Sequence, residues 1–394
     1  MSNRQVDRTR LAVFAAVFVA AVAGVLAVPA EAAVYEVGPG KAYANITDVP
    51  IEDLAAGDAL KIYYRSTPYR EKFGVFTSGT SSNPITVQGV PGSGGELPIV
   101  DGENASTRPE SELSFWGETR QVFKIGGSLT PLSDAGNPVQ WVVVKNLHIR
   151  NASSEYTFTD RAGQTQVYTD NAAAARVEYG EEITFDNCKF IGSGNGLMST
   201  GAGAKDLVVR GCYYQDNGGD SDRVGYGTSQ GLHNNYTESE GILFEYNRFS
   251  SLCTNGLGNA LKDRSSGAVI RYNWIQYGNT SLDLVDSGYS NIYNAADYGH
   301  DYVYGNVIID EMITGAYSAY DNQRIIHYGY DVADSDRMGP LRFYNNTIVS
   351  RRTDRILVIR PQESETIDFF NNIIHVEDPG TWPPCKGGPQ TTPI

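Results

Sequence analysis

One short pattern recurs eight times between residues 142 and 374, and this internal repeat is the strongest constraint on the fold. Each copy has alternating apolar residues, one small polar residue and then more apolar residues, as in VVVKNLHI at 142–149 and IDFFNNII at 367–374. The polar position always holds Asn or Gly: Asn146, Asn187, Gly211, Asn247, Asn273, Asn306, Asn346 and Asn372. Such repetition is typical of a solenoid built from stacked units.

The spacing of the polar residues predicts the class of solenoid. Successive gaps run from 24 to 41 residues, so the shortest match one coil of a parallel β-helix and the longer ones match a coil with a loop inserted. Asn and Gly suit a sharp corner because both tolerate the left-handed backbone conformation. The strands of a β-sandwich, the alternative, would need no fixed corner residue. We therefore expect an all-β protein, a right-handed parallel β-helix (solenoid) with inserted surface loops and a ladder of stacked Asn side chains.

The two ends of the chain differ from the repeat. Residues 1–32 combine a basic start, an apolar run and an Ala-Glu-Ala site, as a cleaved secretory signal peptide does. An uncleaved membrane anchor is the alternative. We expect residues 33–378 to form the β-helix domain of a secreted monomer, with no membrane span after cleavage. The Pro- and Gly-rich residues 379–394 are expected to be a tail or a linker.

The charge balance limits the partners of the protein. Without residues 1–32 the chain has 28 basic and 44 acidic side chains, a net charge of −16, which disfavours nucleic acid as a partner. Between residues 337 and 362, however, six arginines stand against one aspartate, and a basic strip of this kind suits an anionic polysaccharide. Arginines scattered on solvated loops are the alternative.

The residue after the polar position is mostly apolar, so we expect it to face the interior. Cys188 and Cys212 occupy this position in consecutive copies, which predicts that they are neighbours on adjacent coils. Buried free thiols are one interpretation, and a disulfide is the other in an exported protein.

Three segments carry a resemblance to a known family: LAAGDALKIYYRSTPYREKF at 54–73, GTSSNPITVQGVPGSGGELPIVDGEN at 79–104 and NALKDRSSGAVIRYNWIQYGNTSLDLVDSGYSN at 259–291. They are similar to segments of the secreted β-helix polysaccharide lyases of the chondroitinase B and alginate lyase family. A GL-HN-x-Y element at 231–236 also resembles a broader set of exported bacterial β-helix proteins. The first resemblance implies a β-helix enzyme that cleaves an acidic polysaccharide.

The resemblance also implies roles for single residues. Lys262 falls on the family's catalytic lysine, the base that removes the proton α to a uronate carboxylate. The family's catalytic arginine has no counterpart, because Asp283 and Asp286 stand in the segment where it is expected. The family's calcium-binding acids are replaced by Asn255 and Leu257.

The chemistry of elimination makes demands on the neighbours of Lys262. A lysine acts as a base only if its pKa falls, through burial or nearby positive charge. Arg264 lies on the same strand face and Arg271 on the following segment, so we expect both to lower the pKa of Lys262 and to bind a carboxylate. An exposed ion pair with a neighbouring acid is the alternative for Lys262 and Arg264.

Four segments are expected to stack on successive coils and to bring their polar side chains to one surface: 232–237, 259–264, 282–287 and 325–330. We assign catalysis to Lys262, Arg264 and His233. Substrate contacts are expected from four further residues: Arg271, Asn235, His327 and Tyr236. The alternative for both histidines is a hydrogen-bonded structural role. Asp283 and Asp286 could bind Ca²⁺, although isolated acids are more often solvated.

These observations predict a secreted carbohydrate-active protein, a polysaccharide lyase or related epimerase that acts on an acidic polysaccharide. A hydrolase with paired carboxylates is the nearest enzymatic rival. A non-catalytic β-helix that binds glycans at a surface is the alternative from a different class, because this fold alone does not specify an activity.

Overall fold

The computed structural model describes residues 32–113, 115–130, 132–219, 232–254, 256–311, 324–331, 337, 339–351, 355–360, 365–377 and 385–386. Nearly all of the predicted signal peptide and tail lies outside these residues. The regular secondary structure of the described chain is almost entirely β-strand, with two single-turn α-helices and two 3-10 turns: α1 (Phe115–Glu118), α2 (Ser290–Tyr293), Ile46–Asp48 and Ile51–Asp53. None of the helices in this described part is long and apolar enough to cross a membrane.

The strands form three sheets, because each coil contributes one strand to each sheet and the next coil adds its strand alongside. Apart from the antiparallel pair β10–β11, the pairings between strands are parallel. The first sheet has eleven strands: β1 (Val34–Val37), β2 (Ala59–Tyr63), β4 (Ile85–Val90), β8 (Val139–Lys145), β13 (Gly180–Asp186), β16 (Ala204–Arg210), β19 (Glu240–Glu245), β22 (Ser266–Arg271), β25 (Tyr302–Tyr304), β28 (Gly339–Tyr344) and β31 (Glu365–Phe370).

The other two sheets complete each coil. The second has thirteen strands: β11 (Thr165–Val167), β10 (Thr157–Thr159), β6 (Ala105–Thr107), β3 (Glu71–Val75), β7 (Gln121–Ile125), β12 (Ala173–Val177), β15 (Asn195–Ser199), β18 (Asn235–Thr237), β21 (Leu261–Asp263), β24 (Thr280–Val285), β27 (Arg324–Gly329), β30 (Arg355–Arg360) and β33 (Cys385–Lys386). The third has nine: β5 (Ile99–Asp101), β9 (His148–Arg150), β14 (Lys189–Ile191), β17 (Tyr213–Gln215), β20 (Arg248–Phe249), β23 (Trp274–Gln276), β26 (Val307–Asp310), β29 (Thr347–Ser350) and β32 (Ile373–Val376).

The core forms because apolar side chains alternate along each strand and stack in register between coils. Val142 and Val144 of β8 are buried, whereas Val143 between them is partly exposed. Ile183 and Phe185 of β13 lie directly beside these two valines on the next coil. Burial of each such side chain contributes about 1.5–3 kcal/mol. The parallel β-helix expected from the repeat is therefore present, and its in-register columns also determine which polar side chains meet.

The left-handed corner of each coil falls at one of two neighbouring positions in the repeat. Asn146, Asn187 and Gly211 hold the left-handed conformation, with φ between 51° and 61°. In later coils the residue before the Asn takes this conformation, as Tyr246 and Tyr272 do at φ 57°. The aligned column is therefore wrong by one residue after Gly211, because Asn is used for two different purposes in the two halves.

The later asparagines form the predicted ladder, buried beneath the corner. Each Nδ2 donates to Oδ1 of the next member at 3.0–3.1 Å. The same Oδ1 atoms accept a backbone N–H of the preceding ladder residue at 2.9–3.0 Å. The members are Asn247, Asn273, Asn306, Asn346 and Asn372. The prediction of stacked Asn side chains is confirmed for this half of the helix.

The one-residue shift of the corner also explains why the residue after the polar position does not always face the interior as was predicted. Trp274 is 40% exposed and Ile373 is 66% exposed, so in these coils the position faces outward, contrary to the prediction. Cys188 and Cys212 hold the ladder position itself and are buried neighbours on adjacent coils, as expected. Both are free thiols.

Candidate functional site

The candidate site lies on the outer face of the 13-stranded sheet, where β18, β21, β24 and β27 follow one another on successive coils. This is the stacking that the sequence predicts for the four candidate segments. The strands that directly precede the Asn corners belong instead to the 11-stranded sheet, so the candidate segments lie one sheet earlier in each coil than expected.

The register of these strands places four side chains in one column. Tyr236 pairs with Lys262, Lys262 with Asp283 and Asp283 with His327. Leu261 belongs to the hydrophobic core, and successive side chains point to opposite faces, so the column points outward. Neighbouring strands are about 4.8 Å apart, which brings consecutive members of the column into contact.

Lys262, Asp283 and His327 form a continuous hydrogen-bonded chain. Lys262 Nζ donates to Asp283 Oδ2 at 2.6 Å, and His327 Nδ1 lies 2.6 Å from Asp283 Oδ1. Asn259 Nδ2 also donates to Asp283 Oδ2, at 2.7 Å. Burial favours the neutral acid, but Lys262 and His327 outweigh burial and hold the pKa of Asp283 well below its usual range. Asp283 is therefore a carboxylate.

The ionised state of Asp283 fixes the tautomer of His327. A carboxylate only accepts hydrogen bonds, so Nδ1 of His327 must carry the proton that Asp283 Oδ1 receives. Arg324 Nη2 also lies 3.0 Å from this Nδ1, but a protonated Nδ1 cannot accept from it. Arg324 therefore contributes positive potential beside the ring. Nε2 is then the nitrogen of His327 that can accept a proton.

The electrostatics of Lys262 differ from the prediction. Burial disfavours its charge, but the carboxylates of Asp283 and Asp331 outweigh burial and raise the pKa of the ammonium group above its ordinary value. Arg264 acts in the predicted, opposite direction and is too weak to change the outcome. Lys262 is therefore a cation held by two acids, a state that does not suit the predicted role of base.

Arg264 lies in the same cluster through Asp331. Its Nη2 donates to Asp331 Oδ2 at 2.5 Å, and this oxygen also accepts from Lys262 Nζ at 3.0 Å. Nη1 of Arg264 donates to the backbone carbonyl of Asp286. Arg264 and Lys262 thus share one carboxylate, which draws both cations to the same side of the column.

Calcium does not fit the two predicted ligands. Both oxygens of Asp283 already accept hydrogen bonds from side chains, and Asp286 Oδ1 lies 3.6 Å from Arg264 and accepts a backbone N–H. Ca²⁺ needs six to eight oxygen ligands without competing cations. Within the described residues, no group of three or more His, Cys, Asp or Glu side chains could hold a metal. Contrary to the prediction, we assign no calcium to Asp283 and Asp286.

His233 has a structural environment rather than the predicted catalytic one. Its Nδ1 accepts the backbone N–H of Asn259 at 2.9 Å, and its ring meets Tyr236 edge-on at 5.5 Å. Burial and the charge of Lys262 lower the pKa of His233 to about 3, so the ring is neutral. This environment favours the structural alternative for His233, and its catalytic role stays a prediction; the backbone donor comes from the neighbouring coil and has no signal in the periodicity.

The four residues predicted to bind substrate lie in different parts of the structure. Tyr236 remains on the outer column, where Lys262 Nζ lies 6.0 Å from its ring centre, and His327 lies in the polar chain. Asn235 is buried on the inner face, where Nδ2 donates to Thr237 at 3.0 Å, an environment that does not favour the predicted contact with substrate. Arg271 ends β22 in the 11-stranded sheet and pairs with Glu245 at 2.6 Å, away from Lys262.

The predicted basic strip is also divided. Arg337 is fully buried, and its Nε donates to Asp301 at 2.8 Å. Arg351 pairs with Glu311 and Glu377, and Arg342 contacts Tyr302. The remaining members are Arg352, which lies outside the described residues, and Arg355 and Arg360, whose side chains are not described. A continuous strip of free cations is therefore not present in the described part.

Sequence reasoning missed three members of the cluster, namely Asn259, Arg324 and Asp331. Asn259 stands three residues before Lys262, at the start of the segment already selected, and could have been included on that ground. Arg324 is the first residue of β27 and Asp331 lies two residues after its end, beyond inserted loops of irregular length. The sequence repeat gives no indication that these two residues belong to the cluster.

The structure also contains a cavity of about 300 Å³, and no residue that lines it belongs to the cluster around Lys262. Its lining includes Leu232, next to His233, and three acids, Glu155, Asp170 and Asp216. The acids make it unsuitable for an anionic ligand, because like charges repel. The cavity is therefore treated as separate from the candidate site on the column of Lys262.

Comparison with known proteins supports the architecture. The family model described as a right handed beta helix region matches residues 136–323. The predicted fold class, an all-β right-handed parallel β-helix, is confirmed. Comparison with curated protein sequences gave no match.

Several solved structures are similar to this chain at low sequence identity. An alginate lyase from Paenibacillus sp. str. FPU-7 is 10% identical, with a TM-score of 0.47 over 82% of this chain and 93% of that chain. A lacto-N-biosidase from Eubacterium ramulus is 12% identical, with a TM-score of 0.42 over 87% and 68%. Pectin methylesterase PemA from Erwinia chrysanthemi is 12% identical, with a TM-score of 0.41 over 90% and 92%. These likenesses concern the fold and assign no activity.

Proposed function

We propose that the protein is an exported carbohydrate-active enzyme, a lyase or epimerase that acts on an acidic polysaccharide, and that His327 is its base. The observation that carries this proposal is the 2.6 Å contact between His327 Nδ1 and the Asp283 carboxylate. A carboxylate that orients imidazole through Nδ1 leaves Nε2 to accept a proton, which is the arrangement of a general base.

The elimination step uses the two cations of the cluster. Nε2 of His327 takes the proton at C5 of a uronate, the electron pair forms the C4–C5 double bond, and the C4–O bond breaks. The leaving oxygen takes a proton from water. Lys262 and Arg264 stabilise the negative charge that grows on the uronate carboxylate. An epimerase shares the first step and returns a proton to the opposite face of C5.

A non-catalytic glycan-binding protein remains the second candidate, and one observation favours it. Lys262, Asp283 and His327 are 7%, 3% and 0% exposed, and Lys262 is already paired with acids. A paired, buried cluster of this kind also occurs as a structural network.

The test is to incubate the protein without its first 32 residues with alginate, polygalacturonate, chondroitin and hyaluronan. Ultraviolet absorbance reports the unsaturated product, and NMR reports a change of uronate configuration. His327→Gln should abolish product, whereas the same change at the exposed His375 should leave the rate unchanged. If no polymer is altered but one still binds, the glycan-binding function replaces the enzymatic one.

A further inference from the structure

The outer column that carries Lys262 extends towards the N-terminal end of the β-helix. In register, Lys124 pairs with Arg176, Arg176 with Met198 and Met198 with Tyr236. Ala175, beside Arg176, belongs to the hydrophobic core, so Arg176 points to the same outer face as Lys262. Three coils separate the two residues, which corresponds to roughly 14 Å along the sheet.

Within the part of the chain that the structure describes, no carboxylate is hydrogen-bonded to the buried Arg176. The residue is 5% exposed, and its Nε has no hydrogen-bond partner. Nη1 makes a long contact of 3.8 Å with Met198 Sδ, a weak acceptor. Lys262 on the same column, in contrast, has two acids within 3.0 Å. A guanidinium stays ionised in proteins, so leaving it buried and incompletely bonded is costly.

The charges around Arg176 do not cancel. Glu178 is the carboxylate that acts on Arg176, but it is already in an ion pair with Lys124. Arg120 adds further positive charge at the same place. Among the described residues, Arg176, Lys124 and Arg120 thus lie near one carboxylate, Glu178, whereas two acids contact Lys262. This excess favours an anionic ligand.

Aromatic side chains flank the unsatisfied guanidinium. Tyr289, just before α2, is 37% exposed and lies close enough to Arg176 and Tyr236 for both to act, after burial, on the pKa of its hydroxyl group, which is raised. A Cβ placed on Gly201 would meet Tyr289 and Ile292, so the segment that leads into α2 covers the end of β15. Aromatic rings beside a buried cation provide both apolar surface and a polar group for a sugar acid.

We propose that Arg176 binds the carboxylate of a uronate unit, as a subsite three coils from Lys262. The proposal rests on the proposed function, because it takes the same acidic polysaccharide as ligand. The two terminal nitrogens of a guanidinium form a fork that matches both oxygens of a carboxylate. A polymer that lies along the helix axis would pass both Arg176 and the reacting residues. Arg176 is thus a binding residue for the substrate.

Binding of polygalacturonate oligosaccharides, measured by calorimetry beside their neutral methyl esters, tests the proposal. Arg176→Met should raise Kd for the acidic oligosaccharide roughly tenfold or more and leave binding of the ester unchanged. Arg176→Lys should fall between Met and Arg. Arg210→Met, on the 11-stranded sheet, is the matched control and should bind as the parent does.

The melting temperature separates a binding role from a structural one. Removal of an unpaired buried charge should leave the melting temperature of Arg176→Met equal to or above that of the parent. A large fall, or an equal loss of affinity for acidic and neutral oligosaccharides, would overturn the subsite. Unchanged affinity of Arg176→Met for the acidic oligosaccharide would overturn it as well.

The outcomes also distinguish this subsite from the proposed enzyme. If no polymer is altered but Arg176→Met selectively weakens binding of the acidic oligosaccharide, the subsite stands and the enzymatic function fails. If His327→Gln abolishes product while Arg176→Met binds like the parent, the enzyme stands and the subsite fails.

Discussion

Asp283 Oδ1 lies 2.6 Å from Nδ1 of His327 on the adjacent strand, and the other Asp283 oxygen accepts from Lys262 on the opposite side. The carboxylate of Asp283 therefore binds the ammonium group of Lys262 on one side and the imidazole of His327 on the other. The three side chains belong to three successive coils. The contact depends on in-register stacking, because a slip of one residue would turn any of the three side chains to the other face. The β-helix repeat thus supplies the precision of the cluster.

Asp283→Asn should lower the rate of product formation by roughly 10²- to 10⁴-fold. Asparagine can donate to Nδ1, which allows the tautomer that places the proton on Nε2 and removes its basicity. The rate of product formation measures the effect on catalysis, and circular dichroism shows whether the variant is folded. Asp368→Asn, at an exposed site, is the control. An Asp283→Asn variant that retains the parent rate would contradict the role of His327 as an oriented base.

The pH dependence of stability should show the neutral state of His233. Its pKa is about 3 in the folded protein, against about 6.5 when unfolded, so the unfolded chain binds the extra proton first as pH falls. The contribution of the neutral His233 ring to the free energy of unfolding is fully present above about pH 6.5. It is lost as the pH falls towards 3, by up to about 5 kcal/mol. The low pKa of Asp283 acts in the same direction, below the ordinary aspartate value.

Denaturant unfolding between pH 3 and pH 7 measures this dependence. His233→Gln should flatten the slope between pH 4 and pH 6, and His375→Gln should not. A slope that is the same in both variants would show that His233 is protonated in the folded state or that another group dominates.

The sequence predicted the solenoid because apolar alternation and corner residues recur in every coil. It misplaced the corner after Gly211 because Asn serves as a left-handed corner in one half and as a buried ladder amide in the other. A turn residue and a ladder residue look identical in the sequence. Only the neighbour distinguishes them, as Tyr246 does by taking the positive φ before Asn247.

The sequence predicted only those parts of the candidate site that lie on the repeating strands. The stacking of Lys262, Asp283 and His327 follows from three segments of related pattern. The pKa direction of Lys262 did not follow, since it depends on Asp331, which lies beyond a loop whose length obeys no period. Arg176 has a weaker signal, a single charge within the Ala-rich strand AAARV.

Asn306→Ala should destabilise the folded protein by about 2–4 kcal/mol. The change leaves the buried carbonyl of Ile270 and the backbone N–H of Asn273 without their side-chain partner, and each loss costs about 1–3 kcal/mol. The free energy of unfolding in denaturant is the measurement. Asn291→Ala, which removes an amide at an exposed position, should change stability by less than about 0.5 kcal/mol. Equal effects from both changes would show that the ladder contributes nothing specific.

Arg337 joins parts of the helix that are distant in sequence, and its loss should be more damaging than that of any surface arginine. Its Nη atoms donate to the carbonyls of Asp263, Ser265 and Val285 at 2.7–3.2 Å, and its Nε donates to the buried Asp301. Arg337→Met removes all of these bonds and leaves Asp301 without its buried cation, at a cost of about 3–5 kcal/mol.

Combining this change with one at Asp301 separates the two causes of the loss. Addition of Asp301→Asn to Arg337→Met should recover part of the stability, because the uncompensated charge is removed while the three carbonyls stay unpaired. Arg342→Met, at a partly exposed site, should cost less than about 1 kcal/mol. If Arg337→Met unfolds no more easily than Arg342→Met, the buried bonds of Arg337 do not hold the coils together, and the hydrophobic core alone accounts for the stability of this region.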